Sequence, residues 1–220
     1  MTVKEFRRWL GISAGVLAAF VLWTIAVCHV DVQAIGPRGS SVGLAGINRY
    51  VHDWTGVHFS LYAITDWLGL IPVCVCVGFG VYGLVQWIGR RSLLKVDRGI
   101  LALGGFYVLV VAAYVLFEKL AVNYRPVLID GRLEASYPSS TTVLVMCVMP
   151  TAMMQLNDRL KSRTLRLWAL AFGYAFVVFM VIARLVSGVH WFSDIVGGAL
   201  LSAGLVALYR AAAFLLDRRS

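Results

Sequence analysis

A basic residue, an imidazole and a carboxylate lie close together in the segment ARLVSGVHWFSD, as Arg184, His190 and Asp194. The segment separates two long apolar stretches. Burying ionisable groups in such a place costs free energy unless they are paired or reach water, which makes them functional candidates. If a helix begins near Trp191, His190 and Asp194 lie one turn apart, so the carboxylate can hold one imidazole nitrogen and direct the other. The pattern predicts an oriented nucleophile beside a guanidinium, which suits phosphate oxygens.

A second group of cations follows another apolar stretch, in the segment EKLAVNYRPVLIDG. Pro126 disfavours helical geometry at the preceding residue, so Arg125 is expected to lie where a helix ends and to point into a pocket. Lys119 has two interpretations that remain open. It either binds phosphate or extends its ammonium group from the membrane to the aqueous boundary.

A third segment, Tyr137 to Thr142, combines a proline with small hydroxyl residues directly before an apolar stretch. This composition predicts a helix start, where unpaired backbone N–H groups lie beside hydroxyls. Ser139, Ser140 and Thr141 could therefore form a cradle for an anion. Taken alone, the same segment is also typical of an ordinary helix cap.

The elements that must position these residues are membrane helices. The chain has 220 residues, of which 60% are hydrophobic, and its mean hydropathy is +0.80. A membrane-spanning helix needs about 20 apolar residues. The sequence predicts one all-α domain over residues 1–220, with short loops and one longer outer segment at 31–66. Six predicted spans cover roughly residues 9–30, 67–88, 99–118, 141–157, 167–187 and 191–216.

The distribution of lysine and arginine predicts the topology. With the N-terminus inside, the inner segments hold fourteen of the twenty cations, as the positive-inside rule requires. Both termini are then cytoplasmic and the three candidate segments lie outside the cytoplasm. The net charge of +9 is mostly explained by topology. No basic run is interleaved with exposed aromatics, so a nucleic-acid partner is not expected.

The outer segment contains His52, Asp53, His58 and Asp66. Hydrogen-bonded caps and interface anchors are the favoured interpretation, and a lid over a site is the alternative. The four cysteines lie inside apolar stretches, without metal-type spacing to histidine, and are expected to be packing residues. No carboxylate cluster indicates magnesium or zinc, so neither a metal nor another cofactor is expected.

In their order and spacing, the three segments resemble the membrane-integral type 2 phosphatidic acid phosphatases, which share a site with vanadium haloperoxidases. The family signature is Lys-x6-Arg-Pro, then Pro-Ser-Gly-His, then Ser-Arg-x5-His-x3-Asp, on a six-helix bundle, and the resemblance covers roughly residues 95–210. It implies a phosphohistidine on His190, oriented by Asp194. It also implies that phosphate oxygens are held by Lys119, Arg125, Ser139, Ser140, Thr141 and Arg184.

The sequence does not match this signature throughout. Ala183 replaces a serine, Glu118 occupies the position expected for the lysine, and Thr141 stands where the family has the histidine that protonates the leaving oxygen. A monoester expels an alkoxide, whose conjugate acid is about as weak an acid as water. A diphosphate expels a phosphate monoester with a second pKa of about 6, which can leave without a proton.

The missing acid therefore favours a lipid diphosphate as substrate, for example a polyprenyl diphosphate such as undecaprenyl diphosphate. The expected partners are this phosphorylated lipid and the bilayer. Three alternatives remain open. Tyr137, Glu134 or Asp130 could supply the acid; the substrate could be a monoester such as phosphatidate or phosphatidylglycerophosphate; or the chain could be a non-catalytic phospholipid-binding or transport relative.

Overall fold

The computed structural model describes residues 2–217. Of the inner-side cations, Arg218 and Arg219 lie outside these residues. The described part of the chain is helical, with isolated bridges in its loops in place of strands. Its α-helices are α1 (Val3–His29), α2 (Ala45–Thr55), α3 (Phe59–Leu68), α4 (Leu70–Arg90), α5 (Arg98–Leu120), α6 (Ser140–Arg159), α7 (Arg163–Val186) and α8 (Phe192–Asp217).

Among the described residues, five helical stretches are long and apolar enough to cross a membrane. This confirms the predicted all-α membrane bundle. The stretches are Val3–His29, Phe59–Arg90, Arg98–Leu120, Arg163–Val186 and Phe192–Leu215. The remaining predicted span, residues 141–157, corresponds to α6, which is long enough to cross but not sufficiently apolar.

The lower apolarity of α6 follows from its central position. The helix packs against α4, α5, α7 and α8, so little of its surface needs to meet lipid. Its buried side chains include the polar Thr151 and Gln155, and the Gln155 amide donates a 2.6 Å hydrogen bond to the hydroxyl of Tyr209. A buried polar group is tolerated where it is paired. A hydropathy criterion alone therefore does not identify this helix as a membrane span.

The second span begins earlier than predicted. The sequence places residues 59–66 in the outer segment, but the structure makes them helical in α3, which continues into α4 after Gly69. The non-membrane segment between α1 and α3 is thus shorter, and α2 lies within it. Tyr50 and Trp54 of α2 are 74% and 81% exposed, as expected of aromatic anchors at a membrane interface.

Close packing fixes the helix ends that carry the candidate residues. Helix α1 packs along α8, where the Ser13 hydroxyl donates to the Gly204 carbonyl at 2.8 Å. The ring of Tyr137 stacks on Phe20, and its hydroxyl lies 2.7 Å from Thr24 Oγ, so α1 also holds the loop before α6. A Cβ on Gly197 would lie 2.5 Å from this ring. The absence of a side chain at Gly197 of α8 therefore allows the Tyr137 ring, just before α6, to pack closely against α8.

Candidate active site

His190 lies in the short connection between α7 and α8. Helix α8 begins at Phe192, so His190 precedes the helix, whereas Asp194 belongs to its first turn. The Asp194 carboxylate accepts a 2.9 Å hydrogen bond from the backbone N–H of Trp191. Asp194 Oδ2 also lies 3.6 Å from His190 Nδ1. The predicted pairing of imidazole and carboxylate is therefore present, although the distance exceeds that of a hydrogen bond. Such contacts often tighten when substrate binds.

The other imidazole nitrogen faces a guanidinium group. His190 Nε2 lies 3.2 Å from Arg125 Nη1, and both side chains line the same cavity. Because Arg125 can only donate, the nitrogen that faces it must be the unprotonated one. The proton of a neutral His190 is then on Nδ1, toward Asp194. This tautomer leaves the Nε2 lone pair on the cavity side, as a nucleophile requires.

Arg125 joins His190 to a second carboxylate. Its backbone N–H donates to the Glu134 carbonyl at 3.0 Å, and its Nε atom lies 3.0 Å from Glu134 Oε2. The Arg125 side chain is 10% exposed and that of Glu134 is 40% exposed. The Glu134 carboxylate is thus accessible to solvent, while Arg125 is almost enclosed.

Arg184 is close enough to influence His190 but does not line the cavity. Its Nη1 donates a 3.0 Å hydrogen bond to Thr65 Oγ, and its Nη2 lies 3.7 Å from Asp66 Oδ1. The guanidinium carbon lies 4.7 Å from the centre of the Tyr62 ring. Helix α3 therefore holds this arginine, which sequence reasoning did not predict. The Nε atom of Arg184 is buried without a hydrogen-bond partner among the described residues.

The residues at the start of α6 differ in their roles: one is a buried helix cap and another lines the cavity. Ser139 is fully buried, and its hydroxyl accepts from Thr142 N at 3.5 Å and from Thr142 Oγ at 3.0 Å. Its own N–H donates to the Asp194 carbonyl at 3.1 Å. Ser139 thus acts as the helix cap and joins α6 to α8. Ser140 lines the cavity, whereas Thr141 is half-buried and does not.

The two adjacent residues at the end of α5 differ in position. Glu118 lines the cavity with His190, while Lys119 is exposed and does not line it. The structure therefore does not bring Lys119 together with Arg125 and His190. A lysine one position earlier in the helix would point to the cavity, because successive residues project about 100° apart.

The cavity has a volume of about 220 Å³. Its lining includes the polar and charged residues Glu118, Arg125, Glu134, Ser136 and His190. It also includes apolar and aromatic residues of three helices, namely Ala113, Tyr114 and Phe117 of α5, Val143 of α6 and Leu201 of α8. A phosphate beside a hydrocarbon chain would match this mixed lining.

A buried polar network behind the cavity supports Asp194. Asn123 Nδ2 lies 3.4 Å from Asp194 Oδ1, and Asn123 Oδ1 accepts from Gly43 N at 3.3 Å. In the outer segment, Asn48 accepts from Ser193 N at 2.9 Å and donates to Ser193 Oγ at 2.9 Å. These two asparagines were missed by sequence reasoning, because isolated asparagines in loops give no signal of their partners.

The outer segment also contacts the His190 connection directly. The backbone N–H of His58 donates to the Ser187 carbonyl at 2.9 Å, and the ring of His52 lies 5.4 Å from that of Trp191. Gly188 has φ +68°, and a Cβ there would lie 1.9 Å from the Gly56 carbonyl oxygen. Only glycine fits this approach without strain. The segment is therefore packed against the connection that carries His190.

Burial and the positive charges of Arg125 and Arg184 hold the pKa of His190 well below its ordinary value. A histidine with a depressed pKa becomes protonated only as the pH falls below about 6.5. The acid limb of kcat/KM, which reports the free enzyme, is therefore expected below that pH. In Arg125→Gln the limb should move up toward the ordinary value, because a nearby positive charge is lost.

The pH profiles of wild type and Arg125→Gln are compared on the same substrate, so that ionisation of the substrate affects both profiles equally. An acid limb at the same pH in wild type and Arg125→Gln would contradict the assignment of this limb to His190.

Two comparisons connect this arrangement with known proteins. A family model described as the PAP2 superfamily matches residues 75–217, a range that includes every candidate site residue. The structure is similar to the crystal structure of a transmembrane PAP2 type phosphatidylglycerolphosphate phosphatase from Bacillus subtilis, with a TM-score of 0.62 and 17% sequence identity. The similarity covers 94% of this chain and 96% of that chain. Sequence comparison with curated proteins finds no match.

Proposed function

Because the chain belongs to the PAP2 superfamily of membrane phosphatases, we propose that it hydrolyses a lipid phosphate through a phosphohistidine on His190. The contact of 3.2 Å between His190 Nε2 and Arg125 Nη1 carries the proposal. It directs the nucleophilic lone pair to the place where a guanidinium can bind phosphate oxygens. A preorganised positive group at the reacting phosphate is a major source of phosphoryl-transfer catalysis.

In the first half of the reaction, the Nε2 lone pair attacks phosphorus, and the bond from phosphorus to the leaving oxygen breaks. The leaving oxygen keeps that electron pair. The imidazole becomes positively charged, and Asp194, 3.6 Å from Nδ1, stabilises this charge and keeps the ring oriented. Arg125 offsets the negative charge of the transferring phosphoryl group.

A lipid substrate is supported by the apolar residues that line the cavity. Tyr114 is 47% exposed on the outer surface of α5, and it lines the cavity together with the buried Val143 and Leu201. The cavity wall thus continues onto a surface that faces lipid. The first carbons of a prenyl or acyl chain would contact these residues while its phosphate reaches Arg125.

We favour a diphosphate over a monoester because position 141 carries threonine. A diphosphate leaves as a phosphate monoester and depends little on an acid. The alternative is a monoester such as phosphatidylglycerophosphate, the substrate named for the similar Bacillus subtilis protein. Inorganic phosphate release from pure polyprenyl diphosphate, polyprenyl monophosphate, phosphatidate and phosphatidylglycerophosphate tests both. Release from none of the four would overturn the proposed function.

Sidedness provides a separate prediction. From the positive-inside rule, we expect the His190 end of the bundle to lie outside the cytoplasm. Asp130 and Ser162 are both exposed and lie in the loops before and after α6. In a variant without native cysteines, Asp130→Cys should react with an impermeant thiol reagent on intact cells, and Ser162→Cys only after permeabilisation. Labelling of Ser162→Cys alone on intact cells would show that the orientation is opposite to the one expected.

A further inference from the structure

The second half of the reaction needs a group that the family signature does not supply in this chain. Hydrolysis of a phosphohistidine requires water to attack phosphorus from the side opposite Nε2, which is the place that the leaving oxygen has vacated. A base beside that place accelerates the step by taking a proton from the water. In the resemblance, the histidine that serves the leaving oxygen corresponds to Thr141, and a threonine hydroxyl is a poor base at neutral pH.

Most other polar groups of the cavity are unsuitable. The Tyr137 hydroxyl is bound to Thr24 at 2.7 Å, and burial raises the pKa of this phenol, which makes the reactive anion scarce. Asp194 lies on the Nδ1 side of the imidazole, away from the transferred phosphate. Asp130, at a turn with φ +48°, is exposed and does not line the cavity. Only carboxylates of the cavity wall remain.

The cavity wall contains two carboxylates, those of Glu118 and Glu134. The Glu118 side chain makes no hydrogen bond or ion pair with any residue that the structure describes. Glu134 lies 3.0 Å from Nε of the guanidinium whose Nη1 lies 3.2 Å from His190 Nε2. One guanidinium group therefore separates Glu134 from the nucleophile. A phosphoryl group on Nε2 and held by Arg125 would have this carboxylate beside it.

We propose that Glu134 is the general base that activates water for hydrolysis of the phosphohistidine. This assignment deepens the proposed function and rests on it. Water oxygen forms a bond to phosphorus, one water proton passes to the Glu134 carboxylate, and the bond from phosphorus to Nε2 breaks. The electron pair returns to the imidazole nitrogen, inorganic phosphate leaves, and Glu134 releases its proton to the cavity water. Its 40% exposure allows water to reach it and the proton to leave.

The ion pair also explains why Glu134 serves as a base and not as the missing acid. The carboxylate of an ion pair accepts protons but has none to donate. The leaving oxygen therefore receives no proton from Glu134. The assignment agrees with a diphosphate substrate. Its leaving group departs without an acid, but the phosphohistidine that it leaves on the enzyme still needs a base for hydrolysis.

Pre-steady-state kinetics of Glu134→Gln test the assignment, with farnesyl diphosphate radiolabelled in its terminal phosphate as the probe. Glutamine keeps an oxygen acceptor for Arg125 but cannot take a proton. The expected result is an initial burst of farnesyl monophosphate of about one equivalent per enzyme, followed by a steady-state rate lower by about 10²–10⁴-fold. The labelled phosphoenzyme should accumulate, stable in base and labile in acid. Glu134→Asp should restore part of the rate, whether or not Glu134→Gln is obtained folded.

Glu118→Gln is the matched control, because it removes the other carboxylate of the cavity and should not cause phosphoenzyme to accumulate. A steady-state rate in Glu134→Gln equal to that of wild type, or a lower rate without accumulated phosphoenzyme, would overturn the assignment of Glu134. Failure of the proposed function gives a different result. In that case wild-type enzyme releases phosphate from none of the lipid phosphates, or turnover persists in His190→Ala.

Discussion

Replacing His190 with alanine is expected to abolish turnover, by a factor on the order of 10⁶, the scale observed when a covalent nucleophile is removed. The protein should still insert into the membrane and fold, because the imidazole contacts Arg125 and Asp194 and does not belong to the hydrophobic core. Phosphate release by the purified variant, with monodispersity checked by gel filtration, measures the effect.

Asp194→Asn is the companion variant. Asparagine keeps the shape of the side chain but cannot stabilise the imidazolium charge, so activity should fall by about 10⁴-fold and remain measurable. Neither variant should carry labelled phosphate on residue 190 at wild-type levels. Full activity of His190→Ala, with contaminating phosphatases excluded, is incompatible with the mechanism.

Selectivity by leaving group is the second large effect expected. Wild-type protein should hydrolyse a polyprenyl diphosphate faster than the matching monophosphate by about 10²–10⁴-fold, the factor that a positioned acid contributes. The reason is that no acid stands at position 141 and that the Glu134 carboxylate is paired with Arg125, 3.0 Å away. Measuring kcat/KM for both substrates isolates the difference in transition-state stabilisation.

Thr141→His probes the cause of this selectivity. Thr141 is half-buried in the first turn of α6 and follows Ser140, which lines the cavity. An imidazole is longer than the threonine side chain and can extend toward the leaving oxygen. Monoester hydrolysis should therefore rise, while diphosphate hydrolysis changes less. If wild-type enzyme already cleaves both substrates at the same rate, a group other than residue 141 supplies the proton.

Much of the fold could be predicted from the sequence because lipid imposes a simple rule on the helices that contact it. α1, α5, α7 and α8 fall close to the predicted spans, since an apolar stretch of about 20 residues is typical of a membrane-spanning helix. Helix α6 follows a different rule. Protein surrounds it, so packing selects its side chains, and Thr151 and Gln155 lower its hydropathy without exposing a polar group to lipid.

The candidate site was predictable where the chemistry is local in sequence. His190 and Asp194 are four residues apart, and Arg125 precedes a proline, so each has a recognisable context. The contacts of Arg184 with Thr65 and Asp66, and the network around Asn123, join residues that are distant in sequence. No periodicity or spacing relates such partners. Only the packing of α3 and of the outer segment onto α7 and α8 brings them together.

Lys119 shows how a shift of one residue changes a prediction. On a helix, adjacent positions point in directions about 100° apart, and the structure places Glu118, not Lys119, on the cavity wall. The sequence spacing already indicated this irregularity. The exposed position of Lys119 at the end of α5 leaves its proposed role in phosphate binding dependent on movement of the side chain.

The packing of the outer segment onto the His190 connection has an evolutionary consequence. The family-matching range begins at residue 75, yet Asn48 and Thr65, which hold Ser193 and Arg184, precede it. In a chimera, the first seventy residues of a distant homologue would be joined to the remainder of this chain. Such a chimera would keep the nucleophile but lose the matched contacts with Ser193 and Arg184. Substitutions at these contacts should therefore be inherited in compensating pairs, and recombination within this lineage should preserve both ends of the chain together.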